Sequence, residues 1–243
     1  MSIFRTNKLT NIKIISIDLF RTLVDVDRMI ETVWRIFLRD DYRSELAREY
    51  WDRGTEILME KFEEAAGDSR SFKNCRAIFE QTYSRLFEEI NLDFDPKLAA
   101  EVLVENHKSY HLFDDTRDFL DTVGEKFPIC LSSDCDIEMI VGSDGLHLFD
   151  HIFISEVLRS YKLNPAFFQH VIDHYGAKPG NILHIGDSKQ DIICPKQLGL
   201  VTCWVNRKNE KWSHPVHPDF EVNSLADVVD LLGLKKRNPS SIL

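Results

Sequence analysis

Asp18 and Thr22 are the first residues of this chain whose types and spacing suggest chemistry. Asp18 ends the apolar run 14–17, and Thr22 adds a hydroxyl four residues later. A carboxylate mounted at the end of a strand can act as a nucleophile, and in open α/β sheets ligands bind just outside the carboxyl ends of parallel strands. Asp18 is therefore predicted to stand at the mouth of a site.

A second candidate site lies in the segment 182–191, where an apolar run is followed by Gly186 and by two acids, Asp187 and Asp191. Two acids four residues apart share one face, and carboxylate oxygens are the hard ligands that Mg²⁺ prefers. The glycine permits a tight turn and a close approach of the backbone. The same residues also fit a capped helix with an acid in its first turn, so both interpretations stay open at this point.

Ser132 and Lys162 also follow apolar runs. A serine hydroxyl, together with the backbone amides after it, can hold a phosphoryl oxygen, although serine is also a common helix cap. Lys162 precedes a predicted helix start, where a lysine is usually solvated. Its alternative role is a fixed positive charge that offsets a carboxylate nucleophile and a phosphoryl group.

The elements that must position these residues follow from the periodicity of the apolar residues. After the first strand, residues 27–107 have helical spacing without strand-like alternation, which predicts an all-helical insert. Beyond it, short apolar runs alternate with helices, which is typical of a parallel sheet. The predicted strands are 127–131, 151–154, 182–185 and 201–205. We therefore predict an α/β fold, a doubly wound parallel sheet formed by 1–26 and 108–243, with a helical cap domain at 27–107 above the carboxyl edge.

Composition limits the classes of partner. The chain has 243 residues, 43% of them hydrophobic, and 40 acidic against 30 basic residues give a net charge of −10. Such a chain can bury a full core, but it has no basic field to hold nucleic acid or anionic lipid. No secretory signal and no membrane span are expected, so a cytoplasmic protein with a small-molecule substrate is favoured. The five scattered cysteines are expected to be reduced thiols, and nothing indicates an oligomeric state.

Taken together, Asp18, Ser132, Lys162 and the pair Asp187 and Asp191 resemble the four motifs of the haloacid dehalogenase superfamily, in the same order and each after an apolar run. The resemblance spans nearly the whole chain. It implies a Rossmann-like core, and the helical insert is similar to the cap of the subgroup that holds dehalogenases and phosphoglycolate phosphatases.

The resemblance also implies roles for single residues. Asp18 would be the nucleophile, Thr22 and Ser132 would bind phosphoryl oxygens, and Lys162 would neutralise charge. In this family the cofactor is Mg²⁺, and the resemblance assigns its ligands to the carboxylates of Asp18, Asp187 and Asp191 and to the backbone carbonyl of Phe20.

Phe20 is the departure from the family pattern that matters most. Phosphatases of the family carry a second aspartate at this position, which protonates the leaving group and then activates water. Phenylalanine cannot exchange a proton, and general acid–base help is typically worth about 10²–10⁴-fold in rate. A second departure is Arg21, which stands where the family usually has glycine, and the sequence does not indicate its role.

Three functions remain open. The leading hypothesis is a Mg²⁺-dependent phosphatase that acts through an aspartyl-phosphate on a small phosphorylated metabolite. The aromatic Phe20 favours instead a 2-haloacid dehalogenase, but such enzymes need no metal and typically lack the first acid of the fourth motif, whereas this chain keeps Asp187. The third is a catalytically impaired regulatory or scaffold protein. Four cap residues could line the pocket, although residues at helical spacing more often belong to the core or the surface of the cap itself: Trp34, Phe37, Trp51 and Arg53.

Overall fold

A six-stranded parallel sheet forms the centre of the protein. The computed structural model describes residues 8–67, 72–109, 111–141 and 145–235. The sheet order is β3-β2-β1-β4-β5-β6, with every neighbouring pair parallel. The strands are β1 (Ile14–Ile17), β2 (Ile129–Ser133), β3 (His151–Ile154), β4 (Ile182–Gly186), β5 (Val201–Val205) and β6 (Phe220–Val222). The predicted doubly wound α/β fold is confirmed.

The strand order reverses between β1 and β4. From β1 the chain builds outward to β2 and β3, and then returns to add β4, β5 and β6 on the other side of β1. Ligands in such sheets bind at this switch point, outside the carboxyl ends of the strands. Asp18 follows β1 and Asp187 follows β4, so both acids stand at the switch point.

Burial on both faces explains why most of the strands could be predicted from the sequence. All residues of β1, β2, β4 and β5 are buried. Strands covered on both faces by helices become nearly continuous apolar runs. β6 is different, since its middle residue Glu221 is exposed and the strand has only three residues. It lies at the sheet edge, and the sequence analysis missed it.

Four helices form the layer above the carboxyl edge of the sheet. They are α1 (Met29–Leu38), α2 (Ser44–Gly67), α3 (Cys75–Ile90) and α4 (Pro96–Lys108). Asp95 accepts a hydrogen bond from the backbone N–H of Lys97, and Pro96 takes the first helical position, where its missing N–H costs nothing. The interior of this layer is aromatic, with Phe37 packed edge-on against Tyr83 and Phe87. The predicted all-helical insert is therefore present.

Five further helices pack on the sheet: α5 (Thr116–Gly124), α6 (Ser155–Leu158), α7 (Pro165–Tyr175), α8 (Ile193–Gln197) and α9 (Leu225–Leu231). The five cysteines are free and buried, as expected. Within the described ranges, no helix is both long enough and apolar enough to cross a membrane.

One hydrophobic cluster extends from the sheet into the helical layer. It includes Ile15 of β1 and Trp34 of α1. The division into a core at 1–26 and 108–243 and a cap at 27–107 stays a prediction.

Asp136, in the loop after β2, joins the sheet to the helical layer. Its buried carboxylate accepts hydrogen bonds from the backbone N–H groups of Cys75 and Arg76, at 2.7 and 2.9 Å, which are the first two residues of α3. Helix N-termini leave such groups without an intrahelical partner, and an anion there also interacts favourably with the helix dipole. The half-buried side chains of Arg76 and Glu138 add a bidentate ion pair next to it.

We expect Asp136→Ala to lower the free energy of unfolding by about 2 kcal/mol, because two buried N–H groups lose a charged acceptor. Urea unfolding followed by circular dichroism measures this loss. Glu138→Gln is the matched control, since it weakens only a solvent-accessible pair, worth about 0–1 kcal/mol. Equal losses in the two variants would show that the Asp136 cap does not anchor α3.

Candidate active site

Asp18 lies directly after β1 and is almost fully buried. Its Oδ1 accepts hydrogen bonds from Lys162 Nζ at 2.7 Å and from Ser133 Oγ at 3.3 Å, and its Oδ2 accepts one from Thr22 Oγ1 at 3.2 Å. Asp18 also lines a cavity. A carboxylate held by three donors and facing a cavity has the orientation that a nucleophile needs.

Lys162 is the only cation in contact with Asp18 among the described residues. Its side chain is 3% exposed, and Nζ also donates to Asp191 Oδ1 at 2.6 Å. Its backbone N–H donates to Asp134 Oδ1 at 3.0 Å. Burial by itself would lower the pKa of Lys162, but the neighbouring carboxylates raise that pKa well above its usual value. The ammonium group therefore stays charged.

Asp191 is completely buried and is held from three sides. Its Oδ2 accepts hydrogen bonds from the backbone N–H of Ser188 at 3.1 Å and from Ser188 Oγ at 2.7 Å. Its Oδ1 lies 3.1 Å from His184 Nε2, in addition to the contact with Lys162. Burial by itself would raise the pKa of Asp191, but Lys162 and the His184 hydrogen bond hold it below the ordinary value. Asp191 is therefore ionised.

Gly186 makes this arrangement possible. A Cβ at this position would lie 2.1 Å from Cγ of Asp191, a distance that no side chain tolerates. The glycine in the segment 182–191 is thus required by the close approach of the Asp191 carboxyl group to the end of β4.

The carboxylates of Asp18, Asp187 and Asp191 form an acidic cluster in which one oxygen from each lies within 4.8 Å of the others. Burial, with a contribution from Asp191, raises the pKa of Asp18 to about 6, although Lys162 opposes the rise. Burial and the charges of the other two acids raise the pKa of Asp187 to about 8. The cluster carries more negative charge than Lys162 alone can balance. Three carboxylates in this state form a donor set that fits a hard divalent cation.

Ser132 is not among the donors to Asp18. Its hydroxyl is fully buried and lies 2.8 Å from Ser16 Oγ, which in turn lies 2.8 Å from His184 Nδ1. The hydroxyl in contact with Asp18 is that of Ser133, which also lines the cavity. The contact with Asp18 is made by Ser133, because the Ser132 side chain belongs to a buried hydrogen-bonded chain that ends at Asp191, and the phosphoryl-binding role expected for Ser132 stays a prediction.

A cavity of about 380 Å³ lies between the acidic cluster and the helical layer. Its polar end includes Asp18, Lys162 and Asp187, and apolar side chains of α1 to α4 form most of the opposite wall. Of the four cap residues proposed as lining, Trp34 and Trp51 line the cavity. Phe37 packs inside the helical layer, and Arg53 forms ion pairs with Glu56 and Glu89 on the surface.

Phe20 occupies the cavity wall next to Asp18, and its ring packs edge-on against His107 of α4, with centroids 4.7 Å apart. His107 is buried, and its Nδ1 lies 2.7 Å from the carbonyl oxygen of Leu103. Burial lowers the pKa of His107 to about 4, so the ring is neutral at pH 7. The position at which family phosphatases carry a second acid is thus filled by two neutral rings.

A family model for haloacid dehalogenase-like hydrolases matches residues 12–199. This chain belongs to that family. The match includes Asp18, Lys162 and both acids of the fourth motif, and it confirms the resemblance inferred from the sequence.

The relatives of this hydrolase include both chemistries. It is 25% identical to the (S)-2-haloacid dehalogenase of Pseudomonas sp. strain YL over 232 residues, which cover 90% of this chain and 94% of the relative. It is 29% identical to pyrophosphatase PpaX of Halalkalibacterium halodurans over 91 residues, which cover 37% of this chain but only 42% of the relative. In structure it resembles the L-2-haloacid dehalogenase RSc1362, with a TM-score of 0.79 at 18% identity, covering 91% of this chain and 99% of that one. The family is settled, and the choice between phosphatase and dehalogenase is not.

Three residues of the hydrolase site were missed by the sequence analysis as functional candidates: Ser133, Asp134 and His107. Ser133 and Asp134 directly follow the predicted Ser132, so their position in the sequence carried a signal. The sequence gives no such signal for His107, because this residue lies more than eighty residues from the first motif and reaches the cavity only through the packing of α4.

Asp134 has an unusual environment for a carboxyl group. Its Oδ2 is buried without a hydrogen-bond partner among the described residues. Burial raises the pKa of Asp134 to about 7, with smaller contributions from Asp191 and Asp18, although Lys162 opposes the rise. In the unfolded chain the group titrates near 3.8. The folded protein therefore holds this proton up to about pH 7, and the stability that the protonated group provides is lost between about pH 4 and pH 7.

We expect Asp134→Asn to stabilise the protein at pH 8 by on the order of 1–3 kcal/mol and to have little effect at pH 4, because asparagine removes the charge and can still accept from the Lys162 N–H. Urea unfolding at both pH values, with EDTA present, measures the difference. Asp93→Asn, on the exposed loop before α4, is the control and should change stability equally at both pH values. The same pH independence in Asp134→Asn would contradict the prediction.

Proposed function

We propose that this hydrolase is a Mg²⁺-dependent phosphatase that transfers the phosphoryl group of a small phosphorylated metabolite to Asp18. The observation that carries the proposal is the acidic cluster, in which Asp187 adds a third carboxylate to Asp18 and Asp191. A carbon–halogen hydrolysis at Asp18 needs no such third acid. Binding of a divalent cation would explain the presence of this third acid.

The donor set suits the cofactor. We propose that Asp18, Asp187 and Asp191, with the backbone carbonyl of Phe20, hold Mg²⁺. When bound, the ion would offset the negative charge of the cluster and polarise a phosphoryl oxygen. The raised pKa values of Asp18 and Asp187 support this, because the cluster is short of positive charge.

The protein's own residues account for the remaining steps. An Asp18 carboxylate oxygen attacks the phosphorus atom, and the bond to the leaving oxygen breaks with its electron pair staying on that oxygen. Water then attacks the phosphorus of the aspartyl-phosphate and gives a proton to a phosphoryl oxygen, and the bond between phosphorus and the Asp18 oxygen breaks, which releases inorganic phosphate and restores the carboxylate. We propose that Lys162 neutralises the charge that builds up and that the hydroxyls of Thr22 and Ser133, which contact Asp18, donate to phosphoryl oxygens.

The neutral rings of Phe20 and His107 limit the substrates. An alkyl ester leaves as an alkoxide and needs a proton, which neither ring supplies at pH 7. Acyl phosphates and phosphate anhydrides leave as carboxylate or phosphate anions, which are stable without one. We therefore propose substrates with good leaving groups, a class to which pyrophosphate, named in the relative PpaX, belongs.

A second candidate is carbon–halogen hydrolysis, in which Asp18 displaces halide and forms an ester that water cleaves. It is favoured by Phe20, since the dehalogenases that the sequence resembles carry an aromatic residue there, and by the (S)-2-haloacid dehalogenase relative, which matches along 90% of this chain. Halide release from a 2-haloacid in the presence of EDTA would establish it.

Phosphate release from acetyl phosphate and p-nitrophenyl phosphate should require Mg²⁺ and stop on addition of EDTA. Asp18→Asn should lower kcat by at least about 10³-fold, because the variant lacks the nucleophile. A malachite green assay measures both effects. Turnover that persists in Asp18→Asn would refute the aspartyl-phosphate route, and turnover that persists in EDTA would refute the need for metal.

Phe20→Asp should restore the missing acid. We expect it to raise kcat/KM for an alkyl phosphate by about 10–10²-fold relative to acetyl phosphate, since only the alkoxide leaving group needs a proton. Phe20→Asn is the matched control, because it has the same shape and polarity without an exchangeable acid proton. If Phe20→Asn changes the ratio as much as Phe20→Asp, the effect is one of packing and the explanation given for Phe20 is wrong.

A further inference from the structure

Arg21 has a strained backbone. Its φ angle is +65°, in the left-handed region that glycine adopts freely. A residue with a side chain pays about 1–2 kcal/mol there. Non-glycine residues held in such conformations cluster at functional sites. The strained backbone therefore makes Arg21 a candidate functional residue.

The Arg21 side chain enters the cavity without a carboxylate partner. Its Nη2 donates to Thr55 Oγ1 of α2 at 3.2 Å, and the guanidinium forms no salt bridge with any described residue. Of the other cations that line the cavity, Lys162 contacts two carboxylates, Lys189 is paired with Glu63, and Lys211 is exposed. A guanidinium presents five N–H donors in a planar fork that matches a carboxylate. Among the described residues Thr55 is the one acceptor for this guanidinium, which leaves further donors for a ligand in the cavity.

The contact with Thr55 places the guanidinium against the cap rather than against Asp18. Thr55 Oγ1 donates to the carbonyl oxygen of Trp51, so its oxygen is oriented to accept from Arg21. Trp51 and Leu58, one turn to either side of Thr55 on α2, line the same cavity. Arg21 thus lines the cavity beside Trp51 and Leu58, and its charge also opposes the rise in the pKa of Asp187.

We propose that Arg21 binds a second anionic group of the substrate, a carboxylate, while the phosphoryl group lies at Asp18. The preferred substrates are then phosphorylated carboxylic acids with a short apolar body that packs against Trp51 and Leu58. Thr55 is a positioning residue, because it holds the guanidinium in place. This inference rests on the proposed phosphatase function and names its substrate class.

The test uses pairs of acyl phosphates, the ω-carboxyacyl phosphates and their ω-carboxamides, with one to four methylenes in the body, because these leaving groups need no proton. Acid and amide have the same shape and differ in charge. Hydrogen bonds to charged groups are worth about 1.5–3 kcal/mol, or ~10–150-fold. At the best length the wild type should therefore prefer the acid by at least about tenfold in kcat/KM. Arg21→Gly, which relieves the strained backbone, should bring the acid-to-amide ratio close to one, and Arg21→Lys should give an intermediate ratio.

The charge-matched control is Arg48→Ala, which removes a cation paired with Asp27 outside the cavity wall and should keep the wild-type ratio. Calorimetric titration of the corresponding phosphonate acids and amides gives the same ratio without turnover. A ratio near one in the wild type at every length, a ratio unchanged in Arg21→Gly, or no phosphonate binding would overturn the proposal. An Arg21-dependent phosphonate ratio without phosphate release from any acyl phosphate would instead keep the subsite and refute the phosphatase.

Discussion

The active site depends on the buried ammonium group of Lys162. It bridges Asp18 at the end of β1 and Asp191 after β4, while its backbone N–H is held by Asp134 after β2. A buried charge that loses its partner costs several kcal/mol, so these three strand ends have to converge on one point. The reversal of strand order between β1 and β4 brings Asp18 and Asp191 together there. The ion pair and the sheet topology therefore constrain each other.

The site holds more acid than one lysine can neutralise. Asp187 and Asp134 have raised pKa values mainly because of burial, and the neighbouring carboxylates add to the rise. Such a cluster destabilises the folded state at neutral pH. The same carboxylates that are proposed to take part in the reaction therefore lower the stability of the protein. A cation that binds only the folded state would offset this cost by mass action. Binding of a divalent ion and stability of the core are for this reason coupled in the proposed phosphatase.

Much of the core could be predicted because each buried strand is one continuous apolar segment of the sequence. An apolar run that ends in a polar residue identifies a buried strand and its carboxyl end, which located Asp18 and Asp187. The choice between Ser132 and Ser133 could not be made this way, because it depends on a buried hydrogen bond to Ser16. Contacts across the cavity could not be predicted from the sequence either. The pairing of Phe20 with His107 depends on how α4 packs, and helical spacing alone does not say which cap residues face inward.

The departures from the family pattern lie on the cavity side of the loop after β1. Asp18 and Thr22 are buried and joined by a hydrogen bond, so a change at either would leave a polar group unpaired inside the protein. Phe20 and Arg21 are only partly buried and line the cavity, where a new side chain meets space rather than packed atoms. Proton donation can therefore be lost and a cation gained between two fixed residues. In the proposed mechanism Asp18 keeps its position as nucleophile while the leaving group and the substrate differ from those of the family phosphatases.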